Sequence, residues 1–116
     1  MSPEEVVLKK TYDAFNARDI GAVLIAMHPE VDWPNGWEGG HLTGHSAVRD
    51  YWTRQWAAID PYVEPLQFRV DEEGRTVVDV HLLVRDRDGN VMADQTVQHI
   101  YLFEGGLIRR MEILKP

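Results

Sequence analysis

Residues 99–113 read HIYLFEGGLIRRMEI. Two runs of β-branched, aromatic and aliphatic residues flank Gly105-Gly106, a pair free to take the positive φ angles of a two-residue hairpin turn. If the two glycines are the whole turn, Glu104 pairs with Leu107. Counting outward then sets Phe103 against Ile108, Tyr101 against Arg110 and His99 against Glu112. A second hairpin lies upstream at Arg87-Asp88-Gly89. Read as a three-residue loop with a left-handed glycine, it pairs Asp86 with Asn90, His81 with Gln95 and Asp79 with Val97. Asp79, His81, His99 and Glu112 then share one face of a sheet. Read as a two-residue Asp-Gly loop, it slips by one and carries Asp79 and His81 to the face opposite His99.

Working outward, period-two alternation predicts strands over Leu66–Asp71, Thr76–Arg85, Val91–Phe103 and Leu107–Leu114. The first half of the chain has helical spacing instead. Ser2-Pro3-Glu4-Glu5 forms a capping box with proline at the first helical position, followed by Leu8, Tyr12 and Phe15. Asn16-Ala17-Arg18-Asp19 breaks that helix, and Asp19 caps a shorter one carrying Ile20, Val23, Leu24 and Met27. His28-Pro29 ends it, and Glu30–Trp33 reads as a short strand. Thr43-Gly44-His45-Ser46 opens a third helix with Val48, Trp52, Trp56 and Ile59 on one face, stopped by Asp60-Pro61. Helices first and an antiparallel meander after them define an α+β class, with helices packed on one face of a curved sheet.

The 116 residues suit a single domain, 1–116, able to bury about two thirds of the surface its unfolded chain exposes. The apolar fraction of 44% and the charged fraction of 27% fit a globular chain. Cysteine is absent, which excludes disulfides, thiolate nucleophiles and cysteine-held metals. A formal charge of -7 without a basic stripe argues against nucleic acid and anionic membranes as partners. MSPEEVVLKK lacks the pattern of a signal peptide, and no apolar run spans a bilayer, so the expected location is cytoplasmic.

Both faces of the meander carry apolar residues. Val78, Val80, Leu82, Val84, Ile100, Leu102, Met111 and Ile113 look like the core side. The polar face of Asp79, His81, His99 and Glu112 also holds Val77, Leu83, Val97, Phe103 and Ile108, too much apolar surface for a plain solvated face. Two readings stand side by side: a polar pocket, or a face turned to water. Helices on one side and a second copy of the chain on the other would satisfy both patterns, so a homodimer is expected.

The stretch WPNGWEGGH, Trp33–His41, sets two indoles on a glycine-rich backbone. A cavity mouth would use Trp33 and Trp37 as apolar walls and Asn35 as an amide for a substrate oxygen. A wide turn folding its indoles onto the core is the simpler alternative. His41 and His45 have a metal-like spacing, but it falls across a helix start and not along one helical face, so no metal site is expected.

The order of elements, with YDAFNARD, HPEVDWPN, TGHSAVRDYW and HIYLFEGGLIRRMEI, resembles the nuclear transport factor 2-like superfamily, and within it SnoaL-like domains. That group includes polyketide cyclases and is akin to ketosteroid isomerases and limonene epoxide hydrolases. The resemblance covers essentially the whole chain. It implies a cone in which a strongly curved, mainly antiparallel sheet wraps three N-terminal helices around a deep apolar cavity, with the outer face pairing to a second subunit. On this view the face of Val80 and Ile100 meets the partner and the polar face lines the cavity.

The isomerase pattern carries over poorly. Its helix-one tyrosine falls at Thr11, with Tyr12 one residue away. Its general-base aspartate falls at Trp33, with Asp32 adjacent, and its protonated aspartate falls at His99. The hydrolase Arg-x-Asp pair resembles Asp79-Val80-His81 without the arginine, and its last-strand aspartate falls at Glu112.

A histidine in a cavity can accept and return a proton near neutrality. The resulting expectation is cofactor-independent acid/base chemistry on an apolar oxygenated small molecule, of a cyclase, isomerase or hydratase kind. His99 would be the acid/base centre and Glu112 its partner, with Asp79 and His81 as a second pair. Tyr12, Phe15, Trp33, Asn35, Trp37, Trp52, Trp56 and Tyr101 would bind the ligand, although the helical spacing of Trp52 and Trp56 favours a core stripe over the cavity. The alternative is a noncatalytic binding or dimerisation module of the same fold.

Overall fold

A computed structural model describes residues 2–114 of the chain. Helix α1, Pro3–Asn16, starts as its sequence dictates: Ser2 Oγ accepts a hydrogen bond from the Glu5 N–H at 3.1 Å, with proline in the first turn. Arg18 takes a φ of 63° at the break, and Asp19 Oδ1 caps α2, Ile20–Ile25, through the Ala22 N–H. Strand β1 then runs Met27–Pro34, β2 His41–Thr43 and helix α3 His45–Ala58. Four strands complete the chain: β3 Ile59–Val70, β4 Thr76–Asp86, β5 Val91–Glu104 and β6 Leu107–Leu114.

The sheet order is β2-β1-β6-β5-β4-β3. All neighbours are antiparallel except β1 and β6, which run parallel. The sheet is therefore mixed, open and mainly antiparallel, with the helices inside its curve.

Three boundaries differ from the sequence reading. Met27 opens β1 and does not belong to α2. His41–Thr43, read as loop, adds a short edge strand. Strand β3 begins at Ile59 despite Pro61 and Pro65. Its place at the sheet edge explains the tolerance, since only one side of an edge strand must donate to the ladder.

Asn16 serves that same edge with its amide. Its Nδ2 donates to the Val63 carbonyl at 2.7 Å and its Oδ1 accepts from the Val63 N–H at 3.0 Å. The side chain thus substitutes for a strand neighbour and ties α1 to β3. Asn16→Ala removes both bonds and is expected to cost about 1–2 kcal/mol, read as a lowered denaturant midpoint with an unchanged slope.

The Gly105-Gly106 turn closes as expected, and the upstream hairpin takes the three-residue form of its two readings. Glu104 pairs with Leu107 and Phe103 with Ile108, and the Asp86 N–H donates to the Asn90 carbonyl. Beyond each turn the register then shifts by one. Met92 is an extra residue in β5, so Val84 pairs with Ala93 while Arg85 pairs with Val91. Arg109 is an extra residue in β6, so Leu102 pairs with Arg110. A bulge adds one unpaired residue, bends its strand and moves every later side chain relative to the partner strand.

The expected face assignment is corrected by these shifts. His99 lies opposite Val78 and Ile113, not Glu112, while Asp79 lies opposite Gln98 and His81 opposite Thr96. Val78, Val80, Val97, His99, Tyr101 and Met111 are buried on the inner side. Val80 and Ile100 do not share a face, and Asp79, His81 and Glu112 lie on the outer one. The core side is the valine face of β4, joined by His99.

Candidate functional site

The inner face and the helices enclose a cavity of about 360 Å³, within the range of small-molecule sites. Its walls are largely apolar: Phe15 and Val23 from the helices, Trp33 from β1, Trp52 from α3, and Val63, Leu82, Val97 and Ile113 from the sheet. Trp37 and Met92, 40% and 60% exposed, also line it, so the cavity reaches the surface there.

The WPNGWEGGH stretch builds one side of that mouth. Alternation along β1 turns Trp33 inward and Asp32 outward, where Asp32 accepts from Arg110 Nη1 at 2.9 Å and lies 2.8 Å from His41 Nδ1. Beyond β1 the loop is held by Asn35, whose Oδ1 accepts from the N–H groups of Trp37 and Glu38 at 3.2 and 2.7 Å. Its Nδ2 donates to Glu38 Oε1, which Arg54 also reaches. Those bonds to Asn35 and Arg54 hold the Glu38 carboxyl below its ordinary range. Asn35 is thus the brace of the rim and does not line the cavity. Trp37 tilts over Tyr51 at the edge.

Tyr12, His99 and Tyr101 form a hydrogen-bonded group in the cavity wall. Tyr12 Oη lies 2.8 Å from His99 Nδ1, and the Tyr101 hydroxyl donates to Tyr12 Oη at 2.8 Å while lying 3.4 Å from Nδ1. The Tyr12 ring stacks on the imidazole and meets Tyr101 edge-on. Among the described residues His99 Nε2 has no partner, and it is not one of the sealed-off unpaired atoms, so it opens to the cavity that His99 lines.

Burial pushes the His99 imidazole down to about 4, so it is neutral near pH 7. Burial also raises Tyr12, an effect that the charge and hydrogen bond of Tyr101 reinforce, and it raises Tyr101 against the opposing bond from Tyr12. The three groups are therefore joined by hydrogen bonds and carry no charge near pH 7.

The other expected residues divide by position. Phe15, Trp33, Trp37 and Trp52 line the cavity with Tyr12, His99 and Tyr101. Trp56 belongs to the core: it stacks on Trp52, lies under the Arg18 guanidinium and has a buried, unpaired Nε1. Asp79, His81 and Glu112 are outside the cavity, and none of them meets His99. Asp79 accepts from Gln98, His81 lies 2.6 Å from Asp94, and Glu112 accepts from Arg110. The outward positions follow from the two bulges.

His41 and His45 are separately engaged, by Asp32 and by the Met27 carbonyl. Among the described residues no three His, Asp or Glu side chains are grouped as metal ligands would be. The sequence reading missed Tyr51, Gln55 and Gln95, which add polar atoms to the cavity wall. Only the i, i+4 spacing of Tyr51 and Gln55, hydrogen-bonded at 3.1 Å, offered a signal.

Helices inside a curved open sheet, closing over a largely apolar cavity with a buried polar group, define a cavity protein of the nuclear transport factor 2-like superfamily. The chain belongs to the SnoaL-like domain family, which matches residues 8–111. Among solved structures it is similar to TerC co-crystallised with polyporic acid, at 26% identity and a TM-score of 0.85, covering 99% of this chain and 92% of that one. It is equally similar to an NTF2-like protein of unknown function from Burkholderia pseudomallei, at 27% identity and TM-score 0.86, covering 100% and 92%. A Mycobacterium tuberculosis protein in complex with estradiol-17beta-hemisuccinate shares the fold, at 18% identity and TM-score 0.82, covering 97% and 93%. No curated protein matches this chain. No helix among the described residues is long and apolar enough to cross a membrane.

Proposed function

We propose that this protein, acting as one SnoaL-like domain, binds an apolar oxygenated small molecule in the cavity. We further propose that it acts on that molecule by cofactor-independent acid/base chemistry of the cyclase, isomerase or hydratase kind. The observation that carries the reading is a buried, neutral His99 whose Nδ1 is held by hydroxyls and whose Nε2 is open to a largely apolar cavity. An apolar wall favours the body of the ligand, and the imidazole and phenols select an oxygen on it. The polyporic acid of TerC, an aromatic hydroxyquinone, has that chemistry. A cytoplasmic homodimer paired through the outer face belongs to the same reading, supported by exposed Tyr62 and Leu102 on that face.

Titration with polyporic acid, followed by quenching of indole emission, is expected to saturate, because Trp33, Trp37 and Trp52 line the cavity. His99→Leu should weaken binding about tenfold, the value of one buried hydrogen bond. Exchange of the α-protons of 2-tetralone in D2O reads the chemistry. His99→Leu is expected to slow it by about 100-fold or more. Absence of saturation contradicts the binding reading, and exchange unaffected by His99→Leu leaves the noncatalytic binder.

A further inference from the structure

We propose that Tyr101, Tyr12 and His99 form a reversible, charge-neutral proton relay that lets the cavity take a proton from one atom of a bound ketone and deliver one to another. The inference deepens the proposed function and rests on the ligand entering the cavity.

Its basis is the identity of the groups on His99 Nδ1. A carbonyl or a carboxylate there would only accept, and would fix the ring in one tautomer. Hydroxyls both donate and accept, so the same heavy-atom positions, 2.8 Å from Nδ1 to Tyr12 and 2.8 Å from Tyr12 to Tyr101, carry either hydrogen order. In one order Tyr101 donates to Tyr12 and Tyr12 donates to Nδ1, leaving Nε2–H as a donor to the cavity. In the other, Nδ1–H donates to Tyr12 and Tyr12 to Tyr101, leaving Tyr101 O–H as the donor and the Nε2 lone pair as the acceptor. Both end groups belong to residues that line the cavity.

The second order performs an enolisation. The Nε2 lone pair takes the proton from the carbon beside the carbonyl, and the C–H electron pair becomes the carbon–carbon double bond. The carbonyl π pair becomes the new O–H bond, using the Tyr101 proton. Tyr101 recovers a proton from Tyr12, and Tyr12 recovers one from Nδ1. Ketone has become enol, the imidazole has changed tautomer, and every group remains neutral. The reverse passage, with Nε2–H delivered to a different carbon of the conjugated system and the enol proton returned to Tyr101, completes an isomerisation and resets the relay.

Neutrality matters here because burial disfavours the charged form of all three groups. The fitting substrate class is an apolar ring ketone with an acidic α-proton and room for conjugation.

The test is nitrogen NMR of histidine-labelled protein with two probes of similar shape, 2-tetralone, which accepts at oxygen, and 2-naphthol, which donates. Bound 2-tetralone, accepting from Tyr101 O–H, is expected to hold His99 as the Nδ1–H tautomer, and bound 2-naphthol, donating to Tyr101 Oη, to switch it through Tyr12 to Nε2–H. Tyr12→Phe, which keeps the ring and removes the hydroxyl, is expected to bind both probes and lose the switch. The same tautomer with both bound probes, or a switch that survives Tyr12→Phe, overturns the relay while leaving the binding reading intact. Binding of neither probe overturns the binding reading and the relay with it.

Discussion

Trp52→Ala is expected to lower the unfolding free energy by about 3–5 kcal/mol, the range for removing a buried aromatic side chain. Trp52 is 2% exposed and joins three aromatic neighbours: Phe15 edge-on at 5.4 Å, Trp33 edge-on at 5.5 Å and Trp56 stacked at 5.7 Å. These come from α1, β1 and α3, so one indole joins the elements that close the cone. Truncation leaves a void continuous with the cavity, and the surrounding rings cannot collapse into it without breaking their contacts with one another. A domain of this size has only about 5–15 kcal/mol to lose. Denaturant melts of Trp52→Ala and Trp37→Ala give the comparison. Trp37, at the rim and 40% exposed, should cost about 1 kcal/mol or less, and equal losses at both sites would contradict the packing described.

Acid is expected to weaken the fold through His99 before it acts on the depressed carboxylates. The folded imidazole lies at about 4 because burial disfavours its charged form, whereas an unfolded histidine titrates near 6.5. As pH falls below 6.5 the unfolded chain takes up this proton and the folded one does not. His99's contribution is therefore fully present above about pH 6.5, is lost as pH falls toward 4, and levels off below. At 1.36 kcal/mol per unit, the decline from pH 6.5 to 4.5 is about 2 kcal/mol.

His99→Gln should remove that part of the slope. Asp71 and Asp86, held below the usual carboxylate range chiefly by backbone hydrogen bonds from Arg75 and Asn90, contribute only where the unfolded carboxylates titrate, near pH 4 and below. Urea midpoints of wild type and His99→Gln at pH 7 and 4.5 check the difference. Parallel profiles would mean that His99 is solvated.

The sequence carried the order of the helices and long strands, the positions of both turns and much of the aromatic cavity wall. Gly105-Gly106 and Gly89 demand positive φ, a local property, and so their turns are readable from the residues themselves. The bulges at Met92 and Arg109 are not local in that sense. A bulge is selected by the curvature that lets the sheet wrap the helices, and neither residue type announces it. Because side chains alternate with period two, one extra residue per strand was enough: Arg109 separates His99 from Glu112, and Met92 separates it from Asp79.

The partners that replace them, Tyr12 and Tyr101, were already candidates for ligand contact, but their junction with His99 spans 87 residues between α1 and β5 and exists only once the cone closes. Trp52 and Trp56 show the same limit on a smaller scale. Helical spacing puts both on one stripe, and only the position of α1 decides which lines the cavity and which takes the Arg18 guanidinium.

The central claim is that His99 is turned into the cavity and held neutral by burial beside two hydroxyls. Following the five imidazoles by NMR from pH 8 to 3.5 tests it directly. His99 should remain neutral through pH 6 and titrate near 4; a His99 midpoint near 6.5, the value for a solvated imidazole, would contradict the account.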